Sequence, residues 1–118
     1  MSHTSSHFDA ADALSRLMHK PQLLAKVLTL FVQQVPTMLK QLDTAVAQQN
    51  YQQISMLVHT LKGNAGQVGV LRLYDHFKVT ERELKHAPEQ LPVRLKESYW
   101  LFDKFVEAVN IQQPAVCN

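Results

Sequence analysis

The sequence predicts an all-α fold, an antiparallel up-down-up-down four-helix bundle with a short extra N-terminal helix. Apolar residues recur with the helical period throughout, and no segment alternates with the strand period for more than a few residues. Prolines and glycines divide the chain into one short and four longer helical segments with short connections, which favours a bundle with the short helix across one end. A chain of 118 residues, of which 46% are hydrophobic, is sufficient for one domain with one core.

The first two helices are predicted over Phe8–Met18 and Pro21–Gln48. Pro21 is suited to the first position of a helix, and Pro36 is expected to bend the second helix. Apolar residues in the second helix alternate at spacings of four and three, the seam that is typical of bundles. The predicted seam consists of Leu24, Leu28, Phe31, Val35, Met38, Leu42 and Ala45.

The third helix is predicted over Tyr51–Val68. Asn50, followed three residues later by Gln53, resembles a capping box, and Gly69 can adopt the positive φ that ends a helix. Gly69 therefore permits a tight reversal of the chain directly after Val68. One face of this helix is expected to be buried and consists of Ile54, Leu57, Val58, Leu61, Ala65 and Val68.

Two further helices are predicted, over Val70–His86 and from Pro92 to about Asn110, with a loop between them. The fourth helix is expected to bury Val70, Leu73, Phe77 and Leu84. In the last helix the four-three spacing predicts a buried seam of Leu95, Tyr99, Phe102, Val106 and Val109.

The predicted bundle occupies residues 8–110, between two short tails. Residues 1–7 are polar and are interpreted as a disordered tail or an expression remnant, and residues 111–118 as a frayed C-terminal tail. The single cysteine, Cys117, excludes an internal disulfide and is expected to be an exposed thiol in a reducing compartment. No apolar run approaches the roughly 18 residues that span a bilayer, which favours a cytoplasmic chain without membrane contact.

Several classes of function are disfavoured by composition and motif content. The formal net charge of +2, with basic and acidic residues interspersed, argues against nucleic-acid binding. The six histidines form no recognisable set of metal ligands, and no HExxH motif or cysteine pair is present. A phosphate-cradling glycine loop ahead of a helix is also missing, so we expect no ATP site and no cofactor bound by the domain.

The most informative stretch runs from His59 to Gly69. On the helical wheel His59 lies about 160° and Gly63 about 200° from Leu61, so the imidazole is expected to point away from the core. Gly66 lies at about 140° on the same outer face, and Lys62 at about 100°. A glycine inside a helix costs roughly 1 kcal/mol relative to alanine. We interpret both glycines as a clearing that lets another molecule approach His59, because this face is expected to pack against nothing within the domain.

An exposed, neutral imidazole can attack phosphorus through a ring nitrogen. A phosphoryl group carried by His59 would be negatively charged, and Lys62 is placed to offset that charge. Ser55 and Gln52 border the same face and are expected to hydrogen-bond the ring or the phosphoryl oxygens. Gln67 lies nearer the opposite flank and is expected to contact a partner. His76, on the next helix, is either a neighbour of His59 or a solvated surface residue.

Residues 59–69, with the sequence HTLKGNAGQVG, closely resemble the signature of histidine-containing phosphotransfer (HPt) domains, the intermediates of two-component phosphorelays. The resemblance extends over the whole predicted bundle. It implies that His59 carries the phosphoryl group, that Lys62 assists electrostatically, and that Gly63 lets the partner's loops approach. Asn50 departs conservatively from the aspartate often found at that cap, and Asn64 replaces a small residue.

By this resemblance the partners are receiver domains, one of a hybrid sensor kinase and one of a response regulator. Mg²⁺ is expected from the partner receiver, and the domain itself is expected to be a monomer. The chain is interpreted as the C-terminal module of a hybrid sensor histidine kinase, which would make it the cytoplasmic part of an inner-membrane protein if that kinase is membrane-attached. Whether the domain counts as an enzyme stays open, since it is a transfer intermediate.

Two alternatives remain at the level of sequence. The first is a non-catalytic helical adaptor in which the exposure of His59 is incidental. The second is an HPt-like domain that binds receiver domains without transferring a phosphoryl group.

Overall fold

The computed structural model describes residues 7–113, which fold into five α-helices and one short 3₁₀ helix with no β-strand. The helices are α1 (Ala10–Arg16), α2 (Pro21–Ala47), α3 (Tyr51–Val68), α4 (Leu71–His86) and α5 (Leu91–Gln112), and the 3₁₀ helix is Pro88–Gln90. The predicted all-α class is confirmed. Residues 1–6 and 114–118 lie outside the described part of the chain, and with them most of the two expected tails and Cys117.

The four longer helices enclose one apolar core. Helix α3 packs against α2 and α4, and α5 packs against the same two helices from the other side. The short α1 contacts α2 and α3, and Phe8, just before it, reaches the ring of Phe105 in α5. None of the helices within residues 7–113 has the length and apolar character that crossing a bilayer requires.

Helix α3 follows its predicted pattern closely. All six residues of the predicted inner face are buried, and the side chain of Asn50 accepts a hydrogen bond from the Gln53 amide at 3.2 Å. Gly69 ends the helix in the left-handed region with φ of 75°. A side chain there would be strained, and its Cβ would also lie 2.6 Å from Nε of Arg16 in α1. The start and end of α3 are therefore set by local chemistry visible in the sequence.

The predicted seams of α2 and α5 are wrong in part. In α2 Met38 is only half-buried and Leu39 is fully buried instead. In α5 Tyr99 is exposed, whereas Ser98 and Phe105 are buried. The predicted repeat averages 3.5 residues, but an α-helix has 3.6 residues per turn, so a strict four-three seam drifts off the inward face over several turns.

Some helix ends also differ from the predicted ones. Helix α1 begins at Ala10 and not at Phe8, because Asp9 caps it by accepting a hydrogen bond from the Asp12 amide at 3.1 Å. It ends at Arg16, two residues before the predicted end. Helix α5 continues to Gln112, two residues beyond the predicted end of the bundle. The Gln112 amide donates to Phe8 O at 2.8 Å and accepts from Ala10 N at 2.9 Å. These two bonds fix the end of α5 to the start of α1.

His76 is buried in the contact between α4 and α5. The ring is 8% exposed, and its Nε2–H donates to Oγ of Ser98 at 2.7 Å, because that hydroxyl itself donates to Arg94 O. The sequence left open whether His76 is a neighbour of His59 or a solvated surface residue, and the structure shows that it is neither. Burial is the main cause that lowers the pKa of His76, and the charge of Arg94 adds to the lowering; Glu97, a hydrogen bond to the Arg94 backbone and Glu83 oppose it.

We expect His76 to make the bundle less stable in mild acid. Well above the ordinary histidine pKa of about 6.5 the ring is neutral in both states. At lower pH the unfolded chain takes up a proton that the folded chain resists, because the pKa is lowered in the folded state. The free energy of unfolding should therefore fall as the pH drops from the ordinary pKa towards the lowered one. Urea unfolding between about pH 7.5 and about pH 5.5 should show a steeper loss in the wild type than in His76→Gln, which cannot titrate. Equal losses in the two proteins would exclude His76 as the cause.

Candidate functional site

His59 lies in the middle of α3 on the side opposite the buried face. Its side chain is 70% exposed, in agreement with the helical wheel. The residues at neighbouring positions of the outer face, Ser55 and Gln52, are exposed as well. The imidazole is therefore accessible to a second macromolecule without any rearrangement of the bundle.

The ring is held by Glu81 of α4, a residue that sequence reasoning missed. The Nδ1–H of His59 donates to Oε2 of Glu81 at 2.8 Å, and Nζ of Lys62 donates to Oε1 of the same carboxylate at 2.6 Å. The side chains of Lys62 and Glu81 are 21% and 28% exposed. One carboxylate thus bridges the two residues that the sequence singled out.

The charges of this bridge follow from its hydrogen bonds. The bond from Lys62 is the main cause that lowers the pKa of Glu81; burial opposes it and the bond from His59 adds to it. The same bond raises the pKa of Lys62. Both groups are therefore ionised at neutral pH, and neither is a proton donor or acceptor for chemistry there.

The bridge determines which ring nitrogen is reactive. An ionised carboxylate can only accept hydrogen bonds, so the nitrogen that faces Glu81, Nδ1, carries the hydrogen. In the neutral ring the lone pair is then on Nε2, the nitrogen that does not face α4. The arrangement presents a nucleophile of defined tautomer and fixed orientation at the surface.

Gly63 and Gly66, the two glycines near His59, differ in what surrounds them. A Cβ added to Gly63 would meet nothing within 4 Å, so this position is open as expected. A Cβ on Gly66 would lie 3.0 Å from Cδ1 of Tyr74 in α4. The interpretation of Gly66 as part of a clearing is therefore wrong, since it allows the Tyr74 ring to pack closely between α3 and α4.

The remaining predicted residues lie on the two flanks of α3. Ser55 and Gln52 are exposed, but the hydrogen bond of the ring goes to Glu81 instead of to either of them. Gln67 and Asn64 line a groove of about 170 Å³ between α3 and α2. Its other lining residues are Leu17, Val27, Leu30, Phe31, Gln34 and Val68. Among residues 7–113 no group of three or more histidine, cysteine or acidic side chains is placed to hold a metal ion.

We expect alanine substitutions to separate the two glycines. Gly63→Ala should raise the free energy of unfolding by up to about 1 kcal/mol, because alanine favours the helix and its methyl group meets nothing. Gly66→Ala should give no gain, because the methyl group has to displace the Tyr74 ring. The gain should reappear in a Tyr74→Ala background. Urea unfolding followed by circular dichroism measures the wild type, the three single variants and the double variant, and equal stabilisation by Gly63→Ala and Gly66→Ala would contradict the assignment.

Comparison with known proteins agrees with this geometry. The family model of the Hpt domain matches residues 26–110, which include α3, α4 and most of α2 and α5. No curated protein and no solved structure matches the chain at a significant level. The matched range contains His59, Lys62 and Glu81 together with the helices that bring them into contact. The chain therefore belongs to the Hpt family, whose members take part in phosphotransfer in two-component signalling and interact with receiver domains.

Proposed function

We propose that this domain is a phosphorelay intermediate: Nε2 of His59 accepts a phosphoryl group from a receiver-domain aspartate and passes it to the aspartate of a second receiver. The observation that carries the proposal is the exposed ring of His59, whose Nδ1 is held by Glu81. Because Nδ1 carries the hydrogen, the nucleophilic lone pair is on the exposed side of the ring.

The chemical step needs no group from this domain besides the ring. The lone pair on Nε2 attacks phosphorus, the bond between phosphorus and the aspartyl oxygen breaks in line, and that electron pair leaves with the carboxylate. Passing the group on is the reverse reaction with a second aspartate. Positioning accounts for most of what this domain contributes, while the receiver domain is expected to supply the Mg²⁺ and charge stabilisation.

Lys62 is the cation nearest to the reacting ring along α3. Since it already pairs with Glu81, its charge is shared between that carboxylate and the incoming phosphoryl oxygens. We assign it an electrostatic role that is smaller than that of an unpaired lysine. Ser55 and Gln52 border the ring and are assigned to hydrogen bonds with the phosphoryl oxygens or with the partner.

The surface around His59 fits a receiver domain. Gly63 leaves space one turn beyond the ring. The groove at Asn64 and Gln67 has an apolar lining in which Leu30 is 44% exposed. On the other flank the exposed side chains of α4 near Glu81 are basic, namely Lys78, Arg82 and Lys85. An apolar groove on one side and basic residues on the other suit a partner whose reactive cleft is acidic.

The wider context of the relay is part of the same proposal. The two partners would be the receiver domain of a hybrid sensor kinase, with this chain as one of its modules, and that of a cytoplasmic response regulator. The domain would act as a monomer, with its four longer helices in up-down-up-down order. That order is supported by the short connections between α2, α3 and α4 and by the packing of α5 against both α2 and α4.

The relay is tested by transfer from a phosphorylated receiver. Receiver domains from a panel of response regulators and hybrid kinases, loaded with labelled acetyl phosphate, should pass label to the wild-type domain. His59→Gln should take up none, because the amide has no nucleophilic ring nitrogen. The label on the wild type should be acid-labile and alkali-stable, as expected for phosphohistidine.

The same assay distinguishes the alternatives. Binding of receivers without transfer of label, in wild type and His59→Gln alike, would favour an HPt-like binder. Neither binding nor transfer with any receiver of the panel would favour an adaptor of another kind.

A larger residue at Gly63 should block docking without unfolding the domain. Gly63→Leu fills the open space beside His59 but leaves the core untouched, so the free energy of unfolding should not fall. Transfer from the receiver should slow by about tenfold or more, which corresponds to about 1.4 kcal/mol of lost docking energy. Gly63→Ala is the matched control and should slow transfer much less. Unchanged transfer in Gly63→Leu would show that partners do not approach over this position.

A further inference from the structure

A relay histidine has to release its phosphoryl group as well as accept it, and the two directions place different demands on the ring. Acceptance needs a lone pair on Nε2. Release breaks the bond between phosphorus and Nε2, and the electron pair returns to the ring. If Nδ1 carries a proton, the ring leaves as neutral imidazole; if Nδ1 has lost it, the ring leaves as an imidazolide anion, a far poorer leaving group.

Glu81 is placed so that it can keep Nδ1 protonated while the phosphoryl group is released. Its Oε2 faces Nδ1 at 2.8 Å, whereas the phosphoryl group would be attached to the opposite nitrogen. Phosphorylation therefore leaves the contact between His59 and Glu81 in place. In the phosphorylated ring Nδ1–H bears positive charge, and the adjacent carboxylate stabilises that protonated form over the deprotonated one.

We propose that Glu81 is a positioning residue that keeps the proton on Nδ1 of phosphorylated His59 and thereby extends to higher pH the range in which the phosphoryl group is released. This inference rests on the proposed relay. The balance is simple: the bond between phosphorus and Nε2 breaks, a bond from phosphorus to the acceptor oxygen forms, and the ring regains its lone pair. The Nδ1 proton stays on the ring throughout.

The other charged groups near the ring are Lys62 on α3 and the exposed residues Lys78, Arg82 and Lys85 on α4. Lys62 on α3 is paired with Glu81 through its second oxygen, and Tyr74 on α4 interacts electrostatically with Lys62. On α2, the other neighbour of α3, Gln34 and Asn64 line the same groove, so the level of His59 corresponds to about Leu39. The charged residues of α2 nearest that level are Lys40 and Asp43. Glu81 is thus the acidic group in direct contact with the ring, and its removal should be measurable.

The experiment loads the domain chemically and follows release as a function of pH. Phosphoramidate, a small donor that phosphorylates histidine directly, is used on wild type, Glu81→Gln, Glu81→Ala and the control Asp75→Ala. Asp75 is an exposed acidic residue on the same helix, on a different face from Glu81. Loss of the phosphoryl group is followed by phosphorus NMR between about pH 5 and about pH 10.

In the wild type release should stay fast to higher pH than in Glu81→Ala. The fall-off should move down by about half to one pH unit in Glu81→Ala, because a carboxylate at hydrogen-bond distance is lost from a partly exposed site. At pH values above both midpoints this shift corresponds to release that is about three- to tenfold slower. Glu81→Gln, whose amide oxygen still accepts from Nδ1–H, should lie between the two, and Asp75→Ala should match the wild type.

The outcomes separate this inference from the relay itself. A uniform change of rate without a shift of the pH profile in Glu81→Ala would assign Glu81 a merely structural role and overturn the inference. Because loading uses no receiver domain, that result would leave transfer from receivers untouched. Conversely, a domain that shifts its profile as expected but exchanges no label with any receiver would overturn the relay alone.

Discussion

The conformation of Gly69 fixes the relative position of the groups at the site. Its φ of 75° reverses the chain between α3 and α4, and residues equally far from Val70 then face each other. Gly66 and Tyr74 are each four residues from Val70 and pack together, and His59 and Glu81 are each eleven residues from it and form a hydrogen bond. Eleven helical residues at about 1.5 Å each span about 16 Å. The conformation of one turn therefore determines which residues of α3 and α4 are in contact at that distance.

The contact with Glu81 has both a benefit and a cost for His59. An exposed histidine without a partner exchanges its hydrogen between the two nitrogens, whereas the carboxylate selects one arrangement. The cost is that the charge of Lys62 is largely cancelled by the same carboxylate. With a neutral ring the three side chains together carry no net charge. In the proposed relay, the positive charge that an acidic partner would meet is therefore supplied by Lys78, Arg82 and Lys85 of α4.

Much of the fold and half of the site could be predicted from the sequence, for identifiable physical reasons. The inner face of α3, its cap at Asn50 and its end at Gly69 can be read from the residues of this segment alone, and the structure has them as predicted. Glu81 could not be found in this way, because its role depends on the register between two helices. The sequence did contain one indication of this contact, since His59 and Glu81 are the same number of residues from the reversal at Gly69 and Val70. The wrong interpretation of Gly66 has the same origin, since the wheel of α3 contains no information about Tyr74.

The two hydrogen bonds of the Gln112 side chain, to Phe8 and Ala10, have a practical consequence. They join the end of α5 to the start of α1, so both ends of the described chain emerge at one pole of the molecule, beside Gly69 and Arg16. His59 lies ten residues from that pole along α3, or about 15 Å. A fluorophore or an affinity handle attached beside Phe8 or Gln112 would therefore lie at that end of the bundle, and the exposed side of the His59 ring would stay uncovered.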